Sequence, residues 1–263
     1  MEIAFVTDEI SANPEEAIQI GCSWGIKLYE LRVIGENRVP HISEAEKQNL
    51  KALAQKHNIK YTAISPGTFK GNLQNDEQIQ HELNEVLPKT FELAKYLGID
   101  TVITFGFERS EQDDAQTEQK AISIFRQLAE KAEAQNLIIA VENEPGFFCD
   151  SGENMARIIT AVDSDAFRVN WDPANAIGSA EIPYPDGYHT IKKWITNVHI
   201  KDTIKGALIK CVPLGEGVVD WPGQIKSLKE DKLVPFVTIE THCLPLVEKS
   251  KHNLDLVRKL LDS

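Results

Sequence analysis

Eight times along this chain a short run of aliphatic and β-branched residues gives way to a segment of helical periodicity, and the last four runs end in charged side chains. The most informative run is Ile138–Pro145, I-I-A-V-E-N-E-P. Its β-branched residues favour a strand, and Pro145 followed by Gly146 ends it. Side chains alternate across a strand, so Glu142 and Glu144 share a face with Ala140, while Ile139, Val141 and Asn143 take the other. One face is apolar enough to lie under helices; the other carries carboxylates to the strand's C-terminal tip. The design recurs downstream. Arg168–Asn175 puts Asp172 at a tip, Asn197–Asp202 presents His199 and Lys201, and Phe236–His242 presents Glu240 and His242. The alternate positions (Val169 and Trp171, Val198 and Ile200, Val237 and Ile239) are apolar.

Taken in order, Ile3–Asp8 reads as a first strand, and Asn13 with Pro14 opens a helix to about Ser23. Lys27–Val33 is a second strand, with Tyr29, Leu31 and Val33 on one face and Glu30 and Arg32 on the other. Ser43 and Glu46 form a capping-box signature for a helix to about His57. Tyr61–Ser65 is a third strand, and a long helix from about Asp76 to Leu97 contains Pro88, which kinks or divides it. Thr101–Phe105 is a fourth strand. The stretch Thr203–Val219 is longer than a simple connection and reads as a hairpin or lid over the mouth. Eight such units in 263 residues match a single-domain α/β fold, a (β/α)8 TIM barrel over residues 1–263, with a metal site at its C-terminal mouth. A doubly wound open sheet would need a glycine-rich loop after the first strand, and T-D-E-I-S-A-N has no glycine.

The formal charge of −12 argues against nucleic acid or an anionic membrane as partner, because both need a basic surface. Cys22, Cys149, Cys211 and Cys243 are far apart and lack zinc-finger spacing, as expected of free thiols in a reducing compartment. The start M-E-I-A-F-V-T-D enters a strand directly, and no apolar run is long enough to span a bilayer. The expected location is the cytoplasm.

Polar groups at the C-terminal mouth of such a barrel read as catalytic. Three carboxylates converging there repel one another unless a cation resolves the conflict. Three oxygen ligands and one imidazole, from Glu142, Asp172, Glu240 and His199, suit one divalent metal ion: Mn²⁺ first, with Mg²⁺, Co²⁺ or Zn²⁺ as alternatives. Taken singly, each has a bland reading as a cap, a turn residue or a satisfied histidine. Asn175, Lys201 and Lys205 are candidates for binding substrate oxygens, and Asn175 reads equally well as a turn residue. Glu30 and Arg32 join them as inward-pointing candidates, or pair with each other as barrel filling. Glu144 is the alternative if the ligand falls two residues later.

The segments V-E-N (Val141–Asn143), N-W-D-P-A-N (Asn170–Asn175), V-H-I-K-D (Val198–Asp202), P-L-G-E-G-V-V-D-W (Pro213–Trp221) and I-E-T-H (Ile239–His242) resemble the xylose isomerase-like superfamily of sugar isomerases and epimerases, which also contains endonuclease IV. The resemblance implies that Glu142, Asp172, His199 and Glu240 bind one metal, and that Glu142 and Glu240 act as acid and base on opposite faces of a sugar. It departs from the ketose 3-epimerases at Asn175, where they have histidine, at Phe148, where they have a second glutamate, and at Lys205, where they have arginine. The expected activity is a metal-dependent isomerase or epimerase of a small sugar or polyol-derived carbonyl compound, acting through an enediolate. A dehydratase on a related keto-polyol is the alternative. An endonuclease IV-like nuclease ranks behind both, because its extra histidines would fall where Ser65, Phe105 and Asn175 stand. Dimers are common among such relatives, so a homodimer is an open expectation.

Overall fold

The computed structural model describes residues 1–179, 181–206 and 210–263. Eight parallel strands close into a barrel: β1 Glu2–Val6, β2 Leu28–Leu31, β3 Lys60–Ile64, β4 Thr101–Thr104, β5 Ile138–Glu142, β6 Phe167–Trp171, β7 Ile195–Ile200 and β8 Phe236–Ile239. Closure pairs the first strand with the last, Glu2 opposite Phe236 through Phe5 opposite Ile239. The apolar alternate residues Ile139, Val141, Val169, Trp171, Val198, Ile200, Val237 and Ile239 are fully buried in the layer between strands and helices. Inside the barrel, Ala63, Ile103 and Ala140 form a small separate apolar cluster. Above it the interior turns polar. Thr238 donates to Asn197 at 3.1 Å, and Asn197 donates to Glu30 at 3.3 Å.

Most helix starts follow local chemistry. Asn13 accepts from the backbone N–H groups of Glu15 and Glu16 at the head of Pro14–Ser23. Ser43 and Glu46 complete the capping box of Glu44–His57, and Ser151 caps Gly152–Val162. Each cap satisfies N–H groups that have no partner within the helix. The Asp76–Leu97 segment divides at the proline by a particular device. A π-type turn, Glu82–Val86, joins Asp76–His81 to Leu87–Leu97, placing Pro88 in the first turn of the second helix, where its missing N–H costs little. Gly98 then closes it in the left-handed conformation at φ 73°.

Two strand expectations need correction at their ends. β1 stops at Val6, and Thr7–Glu9 turn as a short 3-10 segment. β2 stops at Leu31, because the Asp8 carboxylate takes the Val33 N–H at 3.1 Å, and Val33–Ile34 then folds back on Asn37–Arg38 as a small antiparallel hairpin. After β7, Asp202–Thr203 pairs antiparallel with Cys211–Val212, so the expected hairpin is present at its base. Its tip at 207–209 lies outside the described residues. All four cysteines are free. Among the described residues no helix is long and apolar enough to cross a membrane.

Candidate metal centre and active site

The C-terminal ends of β5, β6, β7 and β8 bring Glu142, Asp172, His199 and Glu240 together. One donor atom from each lies within 4.8 Å of the others. All four are buried, at 4 %, 0 %, 2 % and 5 % exposure. They form the floor of the mouth rather than its exposed rim. Glu142, His199 and Glu240 close one end of a cavity of about 320 Å³, with Asp172 buried behind them, and its walls include Arg32, Arg38, Ser65, Lys70, Phe105, Glu144 and His242.

Each ligand candidate is held from behind. Glu142 accepts from Asn170 at 3.0 Å and from Asn175 at 3.3 Å. Asp172 ends β6 and caps the helix Pro173–Gly178, its Oδ1 accepting from the N–H of Ala174 at 2.9 Å and of Asn175 at 3.1 Å. Asn143, on the outer face of β5, clamps the Asp172 backbone by donating to its carbonyl and accepting from its N–H, both at 2.8 Å. His199 turns Nε2 to Glu30 at 3.0 Å and Nδ1 to Glu142 and Glu240 at 3.5 Å. Glu240 is gripped by Arg32 at 2.6 Å and Lys201 at 2.9 Å.

The electrostatics follow from burial and neighbours. Burial is the largest influence on Asp172 and lifts its carboxyl to about 6, with Glu142 and Glu240 adding to the rise and Lys201 opposing it. Burial alone would lower His199, but the carboxylates of Glu30, Glu142 and Glu240 reverse this and hold the imidazole well above its usual value. Burial raises Glu240, yet Lys201, His242 and His199 overcome it and keep that carboxyl well below the ordinary range.

The donor set fits a divalent cation. Three carboxylates and an imidazole are the oxygen-rich mixture such ions take. Asp172 Oδ2 lies 2.7 Å from the Lys201 ammonium, yet this fully buried atom accepts no well-directed hydrogen bond. His199 has one nitrogen committed to Glu30 and the other facing the carboxylates, the arrangement that fixes a ligating imidazole's tautomer.

The other sequence candidates separate. Lys201 is buried between Asp172 and Glu240. Asn175 is 1 % exposed and is spent on Glu142 and on the Asn143 carbonyl at 2.8 Å, facing the ligand rather than the cavity. Glu30 and Arg32 both line the cavity but do not pair with each other. Glu30 holds His199, and Arg32 meets Asp8 at 2.8 Å, Glu9 at 2.5 Å and Glu240 at 2.6 Å. Lys205 is exposed on the connection after β7 and is not among the residues lining the cavity. Glu144 sits at the cavity edge with Lys70 at 3.3 Å.

Sequence reasoning missed Asn143, Asn170, Asp8, Glu9 and Arg38. Asn170 was legible: it precedes Asp172 by two on the same inward face of β6, where a polar residue inside a barrel must have a partner. The others act through loop geometry that strand alternation does not report.

A protein of Escherichia coli (strain K12), provisionally named L-ribulose-5-phosphate 3-epimerase SgbU, is 28 % identical over 159 residues, covering 58 % of this chain and 55 % of that protein. The chain thus matches about half the length of this curated relative. Two crystal structures share the fold. A D-tagatose 3-epimerase-like protein superposes with TM-score 0.84 at 17 % identity, covering 100 % of this chain and 98 % of that one. The IOLI protein with a bound zinc atom superposes with TM-score 0.81 at 19 % identity, over 100 % and 98 % of the two chains. The family model for xylose isomerase-like TIM barrels matches residues 21–260, and with the closed eight-stranded barrel this makes the chain a member of that family.

Proposed function

We propose that this chain is a divalent-metal-dependent isomerase or epimerase of a small sugar or polyol-derived carbonyl compound, working in the cytoplasm. The observation that carries the reading is the convergence of Glu142, Asp172, His199 and Glu240, with donor atoms within 4.8 Å of one another and three of the four, Glu142, His199 and Glu240, lining one end of a solvent-connected cavity. The relative provisionally named as a 3-epimerase and the zinc-bound structure of the same fold agree with it. Mn²⁺ is the first choice of ion, with Mg²⁺, Co²⁺ or Zn²⁺ as alternatives. When bound, the ion would supply Lewis-acid polarisation of the substrate carbonyl.

The chain's own residues do the rest. Glu142 and Glu240 stand at the ends of different strands, and donors meet both oxygens of each, Asn170 and Asn175 on Glu142 and Arg32 and Lys201 on Glu240, which holds the two carboxylates in place. One carboxylate takes the proton from the carbon beside the carbonyl, and the other returns a proton to the carbon skeleton. Arg32 and Lys201 hold Glu240 in place and offset the crowding of carboxylates.

The test is a screen of C4–C6 ketoses, inososes and their phosphates with Mn²⁺, read by deuterium uptake from D₂O. Metal-dependent exchange with the sugar retained supports the reading. Loss of water to a new keto product would replace it with the dehydratase. Absence of Mn²⁺ binding would sink it.

A further inference from the structure

Glu142, His199 and Glu240 account for one end of the cavity; Arg38 stands in its wall with no part in the chemistry so far. It belongs to the small hairpin after β2. Its Nε donates to the Ser65 carbonyl at 3.1 Å and its Nη2 to the Ser65 hydroxyl at 3.0 Å. Gly67, at φ 77°, lies directly behind, where a Cβ would fall 2.6 Å from Nε and 2.8 Å from Cζ. These contacts fix the guanidinium against the tip of β3 and consume one edge of it. Its remaining N–H groups have no partner among the described residues.

The other cationic side chains of this cavity are spoken for. Arg32 pairs with Asp8, Glu9 and Glu240, Lys70 with Glu144, and Lys201 with Asp172 and Glu240. His199 lies against Glu30, and His242 against Glu9 and Glu240. Among the described residues, Arg38 is the cation of the cavity wall with no carboxylate within 4.0 Å. Burial, and next the charge of Arg32, press its pKa below the usual guanidinium value, against the opposing pull of Asp8, Glu142 and Glu240. A guanidinium held by one edge offers its other edge as a fork, the shape that matches a carboxylate or phosphate. A neutral hydroxyl would leave the charge uncompensated.

We propose that the substrate carries an anionic end group, a carboxylate or a phosphate ester, and that Arg38 binds it while the reacting carbons lie over Glu142 and Glu240. This rests on the reaction class proposed above and adds the substrate class the site selects. Ser65 is then a positioning residue that aims the guanidinium.

Three probes on one carbon skeleton test it: erythritol, D-erythronate and D-erythritol 4-phosphate. Each is titrated calorimetrically into wild-type protein, Arg38→Gln and Ser65→Ala with Mn²⁺ present, and Mn²⁺ affinity and melting temperature are measured on the same samples. At least one charged probe should bind wild type roughly tenfold or more tighter than erythritol, in line with a charge-assisted hydrogen bond. Arg38→Gln should erase that preference and Ser65→Ala should reduce it several-fold, with Mn²⁺ affinity unchanged. Preference for erythronate assigns a carboxylate, and preference for the phosphate assigns a phosphate ester. Equal binding of charged and neutral probes, no measurable binding of either charged probe, or a preference that survives Arg38→Gln overturns the proposal. Ser65→Ala retains the guanidinium, so a loss there is read even if Arg38→Gln folds poorly. Failure of wild type to bind Mn²⁺ sinks the metal centre instead, and leaves the anion preference measurable.

Discussion

Glu30 is fully buried beneath His199, and its Oε2 meets the ring Nε2 at 3.0 Å. A carboxylate behind an imidazole fixes the tautomer and raises the ligand's basicity, and its loss typically weakens metal binding about 10–100-fold. Glu30→Gln is therefore expected to weaken Mn²⁺ affinity by about that factor while the protein stays folded, as calorimetry and a melting curve would report; unchanged affinity would remove Glu30 from the metal centre. The same pairing predicts a pH dependence. Without metal, burial opposes the imidazolium but Glu30, Glu142 and Glu240 outweigh it, so His199 is protonated at neutral pH and must lose a proton to ligate. Affinity should then fall about tenfold per pH unit as pH drops from 7.5 to 6. Below about 6 the fall steepens, because the Asp172 carboxyl, raised by burial, takes up a second proton. Mn²⁺ titrations in buffers of different ionisation enthalpy would show about one proton released at pH 7. An affinity independent of pH across this range would contradict the assignment of His199 as a ligand.

The segment after β7 shows how one side chain organises an element. Buried Asp202 accepts the backbone N–H groups of Thr203 at 2.9 Å, Gly215 at 3.0 Å, and Gly217 and Val219 at 3.2 Å. A Cβ on Gly217 would fall 2.0 Å from the Asp202 carboxylate, which is why the turn there needs glycine. Asp202→Ala orphans several N–H groups at once, and should cost roughly 3 kcal/mol and lower the melting temperature by about 6–12 °C. A shift within a degree or two would show that the turn holds without it. The role of Asp202 was hidden in the sequence, where P-L-G-E-G-V-V-D-W reads as loop punctuation. What was legible was whatever obeys a period. The alternation in I-I-A-V-E put Glu142 on the inner face beside Ala140, and the Asn13, Ser43 and Pro88 signals placed helix boundaries through rules confined to neighbouring residues. Contacts between elements were not legible. Arg32 reaches across to Glu240 rather than to Glu30, and Asn175 turns back onto Glu142, because closure of the barrel sets those distances and no local pattern encodes it.

At the scale of the whole molecule, pairing β1 with β8 lets residues from both ends of the chain share one mouth: Asp8 and Glu9 meet Arg32, which meets Glu240. Three carboxylates buried together oppose folding, and an ion bound only by the native state would relieve that. Mn²⁺ at about a hundred times its dissociation constant should stabilise the protein by about 2.7 kcal/mol, or roughly 5–10 °C in melting temperature. Asp172→Asn should lose that shift. It is a cleaner probe than His199→Ala, because asparagine can still cap Pro173–Gly178, whereas removing the imidazole leaves the Glu30 carboxylate buried without its partner. An equal Mn²⁺ shift in Asp172→Asn would show the ion bound elsewhere. The central claim is that Glu142 and Glu240 are ligands and proton carriers at once, and Glu→Gln separates the two roles by keeping a ligand oxygen while removing basicity. The direct measurement is deuterium exchange from D₂O into a turned-over substrate, with Mn²⁺ binding followed in parallel, for wild type, Glu142→Gln and Glu240→Gln. Both variants are expected to bind Mn²⁺ more weakly and to lose at least ~100-fold in turnover. For an epimerisation, one of them should still exchange the proton of one epimer without forming the other. Turnover within a few-fold of wild type in both variants would contradict the account and move the acid–base work to Glu144 or Lys201.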